Sequence, residues 1–385
     1  MFGSLTFAMV VIAIYTAQFM LPHGNRTTQF GAFNLIALAA LLPLKAVIAV
    51  SGYTLALWLV LGGLGKLQKQ AVNQRWGIIR VAGWILGLAP VFAHEYLGES
   101  NSDIVSLMTL LGVSYFGLRV IDSFGAIADG RKLLDPLALL GYYLPFNMIL
   151  SGPIGAYAEH TKLANATVEP PTFERFVDHC FTISLGLFFK FFVAEVYRTA
   201  VIGDTGDWPL DGPVDTWIFL VYIFFDFSGY SLIALGVGRL LGIPTPVNFD
   251  RPFLAVNFSD FWRRWHMTLG AFVSRNLYSP ILLFLLRQTK AKATKTLALI
   301  DAFSLAVPFV FVGLWHHFTT GFLLWGIVVG MLVASERYIA GFPAVKAIVK
   351  RTSTQPAIAV PVRLIGIAYT QAMVAISLSI VIKQF

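Results

Sequence analysis

The chain has 385 residues, 57% of them hydrophobic and only 12% charged, with a mean hydropathy of +0.73. A soluble domain carries about twice that charged fraction, which argues against a single large soluble core and for membrane-crossing segments. The net charge of +8 sits in short basic clusters between apolar runs, the pattern of cytoplasmic loops rather than of a nucleic-acid surface.

Apolar segments fall near 2–22, 30–50, 52–65, 76–94, 104–125, 136–158, 176–202, 215–240, 268–286, 297–316, 320–335 and 361–382. About 20 apolar residues cover the hydrocarbon core as a helix, so the expected fold is all-α, polytopic and transmembrane. The first run, Phe2 to Leu21, has no Lys or Arg ahead of it, whereas a secretory signal peptide needs a basic start. It reads as a retained first helix with its N-terminus outside. Internal repeats and dividing linkers are absent, so residues 1–385 read as one integral membrane domain. The single cysteine, Cys180, lies in an apolar stretch. It leaves no disulfide framework or thiolate metal cluster and reads as a small buried hydrophobe rather than an acyl relay.

Lys and Arg in the connections set the orientation. The connections with Lys66, Lys69 and Arg75, with Arg131 and Lys132, with Arg287, Lys290, Lys292 and Lys295, and with Arg337, Lys346, Lys350 and Arg351 read as cytoplasmic. Those with Glu95, Glu99 and Asp103, and with Asp204, Asp207, Asp211 and Asp215, read as outside. If every segment crossed, this parity would fail once between 131–132 and 204–215 and again between 239–264 and 287–295. Both failures vanish if 136–158 and 268–286 dip in and return. Pro145 and Pro153 in one, and Arg275, Asn276 and Pro280 in the other, give a reason for each to break. Broken backbone at membrane depth needs protein or a water-filled cavity around it. About ten full crossings around a central tunnel, entered from the cytoplasmic side, are expected.

Ionisable residues at membrane depth are costly and therefore functional candidates. His23, His94, His160 and His179 read as solvated or interfacial. Two other places stand out. The first is Asp260-Phe261-Trp262-Arg263-Arg264-Trp265-His266, where aromatics at 258, 261, 262 and 265 share helical spacing. An interfacial amphipathic helix, with aromatics in lipid and arginines at headgroups, explains Trp262, Arg263, Arg264 and Trp265. It does not explain His266, which opens the next segment. The second is Gly313-Leu314-Trp315-His316-His317, ending a long apolar run. Adjacent helical residues point about 100° apart, so His316 and His317 would not face one cavity equally. A histidine in a dry tunnel stays neutral and can accept a proton, the need of a hydroxyl attacking a thioester. A zinc-protease HExxH spacing is missing, and no metal centre is expected. Asp226, in Phe225-Asp226-Phe227, needs a partner, for which Lys190 and Arg275 are the candidates.

Taken together these blocks resemble the membrane-bound O-acyltransferase family. The resemblance rests on Phe225-Asp226-Phe227-Ser228-Gly229-Tyr230-Ser231, on Pro246-Val247-Asn248-Phe249-Asp250-Arg251-Pro252-Phe253, on Asp260 to Leu269, and on Gly313-Leu314-Trp315-His316. Weaker similarity runs back through Leu111-Gly112-Val113-Ser114-Tyr115 and Ser151-Gly152-Pro153-Ile154, covering about 105–335. The wording is closest to the bacterial branch that modifies cell-surface polymers, which includes teichoic-acid D-alanylation and alginate and cellulose O-acetylation. Relatives usually have Gly where this chain has His317, Arg-Asp where it has Arg275-Asn276, and Arg or Asp-Arg where it has Gly155.

The resemblance implies that His316 is catalytic and His266 the second tunnel histidine. Asp226, Trp262, Arg263, Arg264, Trp265, Asn248, Arg275, Trp315, His317 and Lys190 would then line or position the tunnel. It implies no tightly bound cofactor, an acyl-CoA or acyl-carrier-protein thioester as donor on the cytoplasmic side, and an extracytoplasmic polysaccharide or a partner acyl-accepting protein as acceptor. The expected setting is the bilayer of a bacterial cytoplasmic (inner) membrane. The expected activity is O-acyl transfer, of acetyl onto an exported polysaccharide or of D-alanyl onto a teichoic-acid-like polymer. A secondary transporter, which usually shows paired repeats, and a non-catalytic scaffold of a polymer synthase are the readings from other classes.

Overall fold

The structure is a computed structural model that describes residues 3–20, 25–68, 75–97, 112–149, 151–165, 169–202, 212–289, 293–347 and 356–382. His23, the start of the 104–125 segment and part of the charged connections used for orientation (Lys69, Glu99, Asp103, Asp204, Asp207, Asp211, Lys290, Lys292, Lys350 and Arg351) lie outside the described residues.

The α-helices that build the fold begin with α1 (Leu5–Met20), α2 (Arg26–Leu41), α3 (Leu44–Gln68), α4 (Arg75–Leu97), α5 (Val113–Ala128), α6 (Pro136–Tyr143), α7 (Tyr157–Lys162) and α8 (Phe173–Phe188). They continue as α9 (Ala194–Ile202), α10 (Pro213–Leu240), α11 (Phe258–Arg264), α12 (Met267–Val273), α13 (Ser279–Thr289), α14 (Thr294–His316), α15 (Thr320–Ala340) and α16 (Pro356–Leu378). Among the described residues there is no strand. Among the described residues, eight stretches are long and apolar enough to cross a membrane: Leu44–Gly65, Gly77–His94, Phe173–Val201, Pro213–Leu240, Met267–Thr289, Lys295–His316, Thr320–Ala340 and Ile358–Leu378. The shorter Leu5–Met20 is also apolar. The chain is an all-α, multi-pass membrane protein.

The chain falls into two compact units, residues 1–192 with 227–247, and residues 193–226 with 248–385. The first unit contains the expected break in 136–158. Helix α6 starts on Pro136 behind Asp135, whose side chain accepts from Ala138 N at 3.0 Å, and stops before Pro145. A single 3-10 turn at Phe146–Met148 follows, and regular helix resumes at Tyr157. Backbone freed from a helix must find partners in the protein, and buried side chains supply them. Arg119, fully buried on α5, donates to the carbonyls of Tyr143 (3.2 Å), Met148 (3.1 Å) and Pro153 (3.2 Å). Asn34 donates to Leu144 O at 2.9 Å and accepts from Phe146 N at 2.7 Å. The Asp122 carboxylate accepts from Tyr157 N at 2.8 Å and from the Tyr142 hydroxyl at 3.1 Å.

The expectation for 268–286 is corrected. Met267–Thr289 is one continuous apolar helix, long enough to cross, in which a π-turn at Ser274–Tyr278 joins α12 to α13. Arg275, Asn276 and Pro280 therefore do not break it. The π-turn takes in the extra residue, and Asn276 Nδ2 donates to Phe272 O at 3.1 Å, one turn back. Pro280, near the start of α13, falls where the helix has just been reset. A second π-turn, Phe189–Val193, joins α8 to α9 and carries Lys190. Turns of this kind are short and often occur at functional sites.

Two smaller expectations also change. His160 is buried at 6% exposure rather than solvated, and its ring bonds the Ala138 backbone while Nε2 has no partner. Burial pushes its imidazole down to about 4. Cys180 is half-buried on α8 rather than fully buried.

Candidate active site

The second unit assembles most of the sequence-selected residues. Helix α11 has only seven residues and carries Trp262, Arg263 and Arg264. Asn257 caps it, its side chain accepting from Asp260 N at 2.7 Å. The aromatic face is not offered to lipid. Phe258 and Phe261 are buried, and the Trp262 ring packs at 6.0 Å from Phe309 of α14 and 5.7 Å from Trp325 of α15. Trp265 stacks on Phe261 at 5.5 Å and meets Phe249 edge-on at 5.2 Å. The interfacial-helix reading is therefore replaced by a helix locked among transmembrane helices. Arg263 and Arg264 both bond the Asp260 carboxylate, Arg264 Nε at 3.0 Å. Burial pushes the Asp260 carboxyl up, but these two guanidiniums outweigh it and hold the group below its ordinary range.

His266 follows this helix in the left-handed region, at φ 47° and ψ 52°, a conformation that costs a residue with a Cβ about 1–3 kcal/mol unless its surroundings impose it. They do. The Asn248 side-chain oxygen accepts from Thr268 N at 3.3 Å and from the Thr268 hydroxyl at 2.8 Å, and lies 2.9 Å from His266 Nδ1. An oxygen that takes a backbone N–H is an acceptor, so Nδ1 carries the proton and Nε2 the lone pair. The Asn248 carbonyl also accepts from Met267 N at 2.9 Å. His266 is 6% exposed. Burial, with a smaller contribution from the nearby His316 imidazole, pushes it down to about 3.

His316 ends α14. Its ring lies 5.0 Å from that of Trp315, 6.1 Å from Phe322 and 6.4 Å from Trp325. The residue is exposed where His266 is buried, so the dry setting expected of a tunnel histidine holds for His266. His317 is extended at φ −155°, outside the helix, and its ring also meets Phe322, at 5.5 Å. The 100° separation expected of two helical neighbours does not hold there. Small residues bring α14 and α15 together: a Cβ on Gly313 would lie 2.3 Å from Phe322 O, and one on Gly326 2.6 Å from Phe309 O.

Trp262 thus bridges His316's aromatic shell to the segment bearing His266 and Asn248. Asp226 is half-buried on α10, two residues after Phe224, which joins the Phe249, Phe253 and Trp265 cluster. Arg275 is exposed in its π-turn, and Lys190 belongs to the first unit. A cavity of about 660 Å³ opens beside α11, lined among others by Asp260, Trp262, Arg263, Met267, Pro308 and Arg337. Neither imidazole lines it.

Several polar residues escaped the sequence reading. Arg119 and Asp122 lie in an apolar run, as does Asp301, which accepts from the Tyr278 hydroxyl at 2.5 Å and from Arg337 Nε at 2.8 Å. Charge inside an apolar run was the available signal. Glu336, just beyond the run at 320–335, gave none.

Residues 215–379 match the MBOAT, membrane-bound O-acyltransferase family. The chain is similar to the teichoic acid D-alanyltransferase of Bacillus subtilis, with 27% identity over 82% of each chain. It is similar to the peptidoglycan O-acetyltransferase of Helicobacter pylori, with 29% identity over 50% of this chain and 36% of that protein. It is also similar to a probable alginate O-acetylase of Pseudomonas putida, with 26% identity over 72% of this chain and 58% of the other. The chain thus spans about four fifths of the first relative and between a third and three fifths of the other two.

Proposed function

We propose that this chain, as a member of the membrane-bound O-acyltransferase family, is an O-acyltransferase that passes acetyl from a cytoplasmic thioester to a hydroxyl of an exported cell-surface polysaccharide. The donor is an acyl-CoA or an acyl-carrier protein. The setting is the bacterial cytoplasmic membrane, with the N-terminus outside. The observation that carries the site assignment is the pair of neighbouring imidazoles, one of them held by Asn248 with its lone pair on Nε2.

In the reaction, His316 takes the proton of the acceptor hydroxyl as its oxygen attacks the thioester carbonyl carbon. The tetrahedral intermediate collapses, the C–S bond breaks, and the proton passes from His316 to the departing thiolate. Ester and free thiol result, so no outside oxidant, reductant or metal is called on. His266 offers Nε2 as a hydrogen-bond acceptor to a second hydroxyl of the polysaccharide, which orients the attacking one. Trp315 packs beside the His316 ring, Trp262 reaches it through Trp325, and the Asp260–Arg263–Arg264 group stiffens the segment before His266.

D-alanyl transfer to a teichoic-acid-like polymer is the second reading, favoured by one observation: the D-alanyltransferase relative aligns over 82% of both chains. Mass analysis of the exported polymer from cells with and without this protein separates the two. Loss of acetyl esters supports the first reading and loss of D-alanyl esters the second. An unchanged polymer would count against both.

A further inference from the structure

The first N–H groups of a helix have no partner within it, and a helix of two turns does not sustain itself. What grips the ends of α11 therefore decides where Trp262 and His266 stand. Its first four N–H groups all have partners. Asn257 takes Asp260 N through its side chain and Phe261 N through its carbonyl, at 2.7 and 3.1 Å. The other two go to a residue from a distant helix. The Glu336 carboxylate accepts from Phe258 N at 3.1 Å, from Ser259 N at 2.8 Å and from the Ser259 hydroxyl at 2.7 Å.

Glu336 is itself on a fixed base. The next residue, Arg337, is ion-paired to Asp301 of α14 at 2.8 Å, and Asp301 also holds Tyr278 in the π-turn. The end of α15 is thus fastened to two neighbouring helices while it holds the start of α11. At the other end of α11, Asp250 N donates to Arg264 O at 3.0 Å, and His266 follows in its left-handed conformation. From Ser259 the helix rises roughly 7–8 Å to Arg264, and His266 follows two residues later, so a shift at the grip is carried to the imidazole.

We propose that Glu336 is a positioning residue for acyl transfer: its carboxylate sets the depth and rotation of α11, and through it the placement of Trp262 and His266 beside His316. The inference rests on the reading that His266 and His316 form the reaction centre. Glu336 touches no reacting atom.

The test compares purified Glu336→Gln, His316→Ala and Ser335→Ala, the last a neighbour on the exposed side of α15. The glutamine keeps the shape but turns an NH2 toward a group that is itself a donor. Hydrogen exchange at the amides of 258 and 259 should quicken in Glu336→Gln. Its kcat should fall about tenfold to a hundredfold with KM unchanged, as misplacement of a reacting group does, while Ser335→Ala matches wild type. If Glu336→Gln does not fold, Ser259→Ala carries the test, with an expected fall of about two- to fivefold for one lost bond. A wild-type kcat in the folded variant overturns the proposal, even if the amides exchange faster. Full activity in His316→Ala would instead overturn the catalytic reading beneath it.

Discussion

The side-chain oxygen of Asn248 lies 2.9 Å from His266 Nδ1 and also accepts the backbone N–H and the hydroxyl of Thr268. Three donors converge on one atom, and together they fix both the tautomer of His266 and its unusual backbone. A residue 18 positions earlier in the chain thereby decides which imidazole nitrogen can accept a proton.

Asn248→Ala removes all three bonds at once and leaves buried donors behind. Each orphaned donor costs about 1–3 kcal/mol, so detergent-solubilised protein should unfold at a clearly lower temperature. Activity should fall further than stability explains, because His266 loses its fixed tautomer. A variant with normal melting and normal turnover would show that Asn248 controls neither.

Arg119 makes a different kind of prediction. Its guanidinium satisfies three carbonyls of the broken segment, and Lys has one ammonium with which to reach them. Arg119→Lys should destabilise the protein by about 2 kcal/mol or more. Arg119→Leu should do so more strongly, as read by thermal unfolding in detergent. Equal stability for the leucine variant would mean that the segment does not depend on this cation.

His160 should make stability depend on pH. Its folded value is pushed down to about 4 by burial, below the ordinary value of about 6.5. The unfolded chain therefore binds the proton first. The contribution is complete above about pH 6.5 and is lost as pH falls toward 4. His160→Gln should flatten the loss of melting temperature between about pH 7 and pH 5. An identical slope in the variant would assign the pH dependence to other groups.

The membrane class, most of the helices and the two histidine segments are legible in the sequence because apolar runs and charged residues within them leave direct marks. Pro145 and Pro153 mark a real break for the same reason. Arg275 and Pro280 mislead, because a π-turn lets a helix absorb an awkward residue without ending, and hydropathy does not register that. The aromatic spacing of 258–265 is helical in either setting, so it could not tell a lipid-facing face from one packed on Phe309 and Trp325. Glu336 lies 77 residues from Ser259, and nothing local to either residue points to the other.

The proposed reaction stands or falls on His316 accepting the hydroxyl proton during acyl transfer. Single-turnover transfer from a labelled acyl thioester to the purified acceptor polymer reads that step, with wild type and His316→Ala compared in the same membranes. Loss of a general base typically costs about 10²–10⁴-fold, so the variant should insert and purify normally and transfer at least about a hundredfold more slowly. Transfer at the wild-type rate by the correctly inserted variant would contradict a base role for His316.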